Sequence, residues 1–94
     1  MTNARTLPAH VAPYAETPVF TSDTVPSKLL SHHDLKPGTW GLMHVKKGAV
    51  RFFVEDGGEP VAILNKDDTF VILPEERHYI EVSDDVKFYV EFLK

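Results

Sequence analysis

In several short runs separated by turn-forming residues, the chain alternates apolar and polar side chains one by one. A period of two is the geometry of an extended strand, whose successive side chains leave opposite faces. No window long enough for a helix carries a 3.6-residue repeat, so the pattern leaves almost no room for helix. The runs predict strands at Val19–Thr21, Thr39–Val45, Ala49–Glu55, Val61–Leu64, Thr69–Leu73, His78–Ser83 and Val86–Leu93. Lys36-Pro37-Gly38, Lys46-Lys47-Gly48, Asn65-Lys66-Asp67-Asp68, Pro74-Glu75-Glu76-Arg77 and Asp84-Asp85 join them. Asp56-Gly57-Gly58-Glu59 is the strongest hairpin signal, because glycine accepts positive φ freely. Many short strands at even spacing define an all-β chain, a small antiparallel sandwich or barrel.

The same alternation sorts the faces. Val86, Phe88, Val90 and Phe92 share one face of the last strand, and Val50, Phe52 and Val54 share one face of an earlier one. His78, Ile80 and Val82 lie together, so a histidine opens an inward, apolar face. Val50, Phe52, Val54, Ile72, Ile80, Val82, Phe88, Val90 and Phe92 form the expected core. Alternation leaves both faces of Thr39–Val45 apolar, and if Met43 and Val45 face in, His44 faces out with Trp40 and Leu42.

At 94 residues the chain is expected to be one domain, residues 1–94, with a proline-rich arm over residues 1–16 that is either loose or laid along a surface. Ten basic residues against fourteen acidic ones give a net charge of −4 with no basic cluster, which argues against nucleic acid and anionic membrane as partners. The longest apolar run, Phe70–Leu73, is far short of the ~20 residues of a membrane span. With no secretory h-region, a cytoplasmic setting is expected. There is no cysteine, which removes disulfides, thiolate catalysis and cysteine zinc sites.

Five histidines therefore dominate any site argument. Histidine with carboxylate suits zinc, iron, manganese or nickel. His78 reads either as a core histidine bonded to a backbone carbonyl or as a ligand-binding group. His32 and His33 are adjacent, so in extended chain only one of them can face inward. Glu76 is placed to reach a site at the mouth of the His78 strand, whereas Glu81 points away. His10, in the arm, carries no chemistry. Paired hydrolase carboxylates, a nucleophile elbow, a phosphate loop and a Ser/His/Asp set are all missing.

Thr17-Pro18-Val19-Phe20-Thr21, His33, Gly38-Thr39-Trp40-Gly41, Val45-Lys46-Lys47-Gly48 and Pro74 with His78 and Glu81 together resemble the TehB/YeaR-like domain family. The resemblance runs from Tyr14 to Leu93 and implies a cupin-like antiparallel barrel, the double-stranded β-helix. Cupins hold metal through two histidines and a glutamate on one segment and a histidine on a later one. Carried over, His33 and His78 match ligand positions, while Gly41 stands near the glutamate position, so the site is depleted.

The resemblance implies a small protein binding a ligand or divalent metal in a stress or tellurite-resistance setting, and not a methyltransferase. The alternative is a small metal-dependent enzyme of dioxygenase or isomerase type. The expected site is His33, His78 and Glu76, with His44 in reserve. It would hold zinc, iron, manganese or nickel, and failing that an anion or small polar molecule. No nucleotide cofactor is expected. Unpaired strand edges point to a homodimer.

Overall fold

The computed structural model describes residues 5–54 and 58–94. Eight strands are present among them: β1 (Pro13–Glu16), β2 (Phe20–Thr21), β3 (Trp40–Lys47), β4 (Val50–Val54), β5 (Ala62–Leu64), β6 (Thr69–Ile72), β7 (His78–Val82) and β8 (Lys87–Leu93). One short 3₁₀ turn, Ser27–Leu30, interrupts the long connection between β2 and β3. The chain is all-β. The Asp56–Glu59 hairpin and the end of the strand expected to reach Glu55 fall partly outside the described residues.

The strands form two antiparallel sheets. In the first, β8 and β3 are central, β6 lies beyond β3, and β1 and β2 share the far side of β8; in the second, β4 lies between β5 and β7. Both sheets turn one face to a common core. Met43, Val45, Phe70, Phe88 and Val90 come from the first sheet, and Val50, Phe52, Leu64 and Ile80 from the second. Phe52 and Phe70 meet across the interior at 4.7 Å between ring centroids. Of the expected core, Val50, Phe52, Ile72, Ile80, Phe88 and Val90 are buried, while Val54, Val82 and Phe92 pack half-buried against it.

Two differences from the sequence reading have plain causes. The proline-rich arm contains a strand that the sequence reading does not place, Pro13–Glu16, paired on the edge of β8. Pro13 is tolerated because an edge position leaves one side of the backbone unpaired. Phe53, on the outward face of β4, is nevertheless only 7% exposed. Tyr79 stacks on it at 4.6 Å, and His32 packs edge-on against Tyr79 at 4.8 Å. An aromatic patch on the outer face thus buries a residue that alternation alone assigns to solvent.

Two turns place glycine where the backbone enters the left-handed region. Gly38 has φ +79° and Thr39 N–H donates to the Lys36 carbonyl at 3.0 Å, closing the turn into β3. Gly48, at φ +70°, reverses the chain between β3 and β4.

Candidate functional site

β7 begins at His78, immediately after the Pro74–Arg77 turn, and the connection carrying His33 runs alongside it. His33 N–H donates to the His78 carbonyl at 2.9 Å, and His78 N–H donates to the His33 carbonyl at 2.8 Å. This reciprocal pair is the hydrogen-bonded rung of an antiparallel ladder, which puts both side chains on one face. The rings meet edge to face, 4.2 Å between centroids.

His78 is 2% exposed. Its ring stacks on Phe52 at 4.8 Å, with 23° between the planes. Its Nδ1 lies 2.8 Å from the Glu76 carbonyl oxygen, so Nδ1–H donates and Nε2 carries the lone pair. Burial lowers its pKa from 6.5 to about 4, aided by His33 and Arg5 and opposed by the Glu76 carbonyl bond and Asp34. The ring is neutral at physiological pH. His33 is half-buried, and its Nδ1 lies 3.2 Å from the Ser31 carbonyl oxygen.

A cavity of about 200 Å³ opens beside the two rings. Leu29, Leu35, Met43, Ile72, Ile80 and Val90 form much of its wall. Thr17, Lys28 and Asp34 join the two histidines as polar groups. Thr17 also ties the arm to β8, its backbone N–H donating to the Val90 carbonyl at 2.9 Å.

The structure does not bring the other expected site residues to the cavity as ligands. Glu76 gives both carboxylate oxygens to Arg5, at 2.7 and 2.9 Å. His44 faces outward, bonded to Glu91 at 2.6 Å and stacked on Tyr89 at 4.5 Å. Glu81 also faces outward and pairs with Arg51 at 2.8 Å. Arg5 has no sequence signal as a structural residue. Its guanidinium sits 4.7 Å from the Phe70 ring centroid and donates to the Val71 carbonyl at 3.1 Å. Its partner Glu76 is 71 positions away, beyond the reach of any local pattern.

The chain is thus an all-β domain of two antiparallel sheets with a mostly apolar cavity beside a histidine pair. The TehB-like domain family model matches residues 15–90, and the chain belongs to that family. It is 33% identical over 79 residues to the probable S-adenosyl-L-methionine-dependent methyltransferase TehB of Haemophilus influenzae, covering 79% of this chain and 28% of that protein. A second H. influenzae TehB is 32% identical over the same span. The chain thus spans less than a third of the relatives it matches. Among solved structures, an Escherichia coli K12 protein superposes with a TM-score of 0.84 at 26% identity, covering 96% of both chains. The crystal structure of H. influenzae TehB superposes with a TM-score of 0.79 at 29% identity, covering 90% of this chain and 32% of that one.

These findings overturn the cofactor expectation of a divalent metal (zinc, iron, manganese or nickel) and no nucleotide-type cofactor. The relatives are named for S-adenosyl-L-methionine, a nucleoside-derived cofactor. Among the described residues no three histidines or carboxylates are grouped to hold a metal. The physical reason is competition: Arg5 occupies the Glu76 carboxylate, and the outward face of β3 carries His44 away.

Proposed function

We propose that this chain is a ligand-binding module of the TehB-like family, taking a small molecule into the cavity beside His33 and His78. The observation that carries the reading is that cavity: apolar walls with a few convergent polar groups, one of them a buried neutral imidazole. Its size suits a molecule slightly larger than benzene, since a cavity of about 150 Å³ accepts benzene. A whole nucleoside sulfonium cofactor is far larger than this cavity, so the molecule this reading seats there is a smaller one. The module then acts by binding a substrate or effector. Stress or tellurite resistance is the setting proposed with it, supported by family membership alone.

The finer architecture we propose is the cupin-like double-stranded β-helix, in one domain, supported by the facing antiparallel sheets and the opening between them. The working unit we propose is a homodimer, supported by the outer edges of β5 and β6, which no strand among the described residues covers.

A fragment screen by two-dimensional NMR on the labelled chain tests the binding reading. Hits should shift the amides of Met43, Ile80 and Val90, and Leu29→Trp, which fills the cavity, should abolish those shifts. Hits that leave these amides unmoved, or that bind the filled variant equally well, would refute it.

A further inference from the structure

We propose that the ligand is small and electrically neutral, about the size of one aromatic ring, and donates a hydrogen bond from O–H or N–H to the imidazole Nε2 of His78. This rests on the binding reading above and adds the chemical class. The Glu76 carbonyl fixes the tautomer of His78 by accepting from Nδ1–H at 2.8 Å, which leaves Nε2 able only to accept. No hydrogen bond reaches Nε2 from the described residues. Yet no fully enclosed side-chain nitrogen or oxygen lacks a partner among them. Nε2 therefore keeps open surface, and His78 lines the cavity among the described residues.

The acceptor is rigidly held. The reciprocal backbone bonds with His33 fix the Cα position, and Phe52 and His33 hold the ring on two sides. The His33 Nδ1 is likewise engaged by a backbone carbonyl, that of Ser31, at 3.2 Å. The charged groups favour a neutral ligand. Asp34 and Lys28 are both exposed and leave their opposite charges in water, so neither gives an ionic ligand a buried counter-charge. Burial keeps His78 itself uncharged at neutral pH, so it offers an anion no imidazolium.

Four probes of nearly equal size separate the possibilities at pH 7: p-cresol as donor, 4-methylanisole and toluene as donor-free analogues, and p-toluate as anion. Titration of the labelled full chain, read at the Met43, Ile80 and Val90 amides, should show p-cresol binding about tenfold tighter than toluene or 4-methylanisole, the usual effect of one buried hydrogen bond. p-Toluate should bind more weakly than toluene. In His78→Phe the preference for p-cresol over toluene should fall to about one. Should that variant fail to fold, the wild-type series decides alone, because the change is then made in the ligand. Equal binding of p-cresol and 4-methylanisole, or tighter binding of p-toluate, would overturn the donor assignment and leave the binding cavity standing. No shift at these amides with any probe would remove both.

Discussion

Replacing Gly48 by alanine tests how the turn between β3 and β4 is built. Gly48 adopts φ +70°, a left-handed conformation that costs an L-residue roughly 1 kcal/mol. An added Cβ would also stand 2.5 Å from Ser83 Oγ, 2.6 Å from Asp85 Oδ1 and 3.0 Å from Val86 Cα. Those two oxygens are not idle. Ala49 N–H donates to Ser83 Oγ at 2.9 Å, and Ser83 Oγ–H donates to Asp85 at 2.8 Å. The Val86 contact is with a backbone atom of a residue only 1% exposed, so it cannot move aside as a flexible side chain would. Moving Ser83 aside breaks two hydrogen bonds worth about 1 kcal/mol each. With the backbone term, Gly48→Ala should lose about 3 kcal/mol. Gly38→Ala is the matched control, since it has φ +79° but nothing within 4 Å of the added carbon. It should lose only about 1 kcal/mol. Urea unfolding of both variants, with the m-value checked for constancy, measures the difference. Equal losses at the two positions would refute the argument, because the packing term would then be absent.

Phe88→Ala removes a fully buried ring of the core and should cost about 3–5 kcal/mol in the same assay, a large part of the 5–15 kcal/mol usual for a domain. Because the folded pKa of His78 is lowered from 6.5 to about 4, the unfolded chain binds a proton between those values that the native chain does not. Stability from this group is therefore complete above about pH 6.5 and falls as the pH drops towards 4, by at most about 3 kcal/mol; urea midpoints at pH 7.5 and 5 for wild type and His78→Phe measure the slope, which the variant should flatten. Arg5→Ala breaks the two-pronged contact with Glu76 and should lower stability by about 1–2 kcal/mol, read as a shift in the urea midpoint. Light scattering after gel filtration should return twice the monomer mass at micromolar concentration, and a monomer mass would refute the dimer proposal.

The class of the fold and much of its inside and outside are properties of the sequence alone. A strand turns successive side chains to opposite faces, so the order Gly41-Leu42-Met43-His44-Val45 already couples an inward Met43 and Val45 to an outward His44. The turns at Gly38 and Gly48 are equally local, because their φ values suit glycine. The site is otherwise. His33 and His78 each had a local reading, but only the rung between two distant segments sets their rings 4.2 Å apart. Glu76 lies two residues from His78, close enough to suggest a shared site, yet Arg5 takes its carboxylate and leaves only its backbone carbonyl to His78. Phe53 shows the same limit on the outer face, where a ring from β7 covers what alternation assigns to water. Periodicity reports which face a side chain leaves by. What it meets there depends on strand order and register, which join residues as distant in sequence as Pro13 and Leu93 and exist only once the sheets have formed.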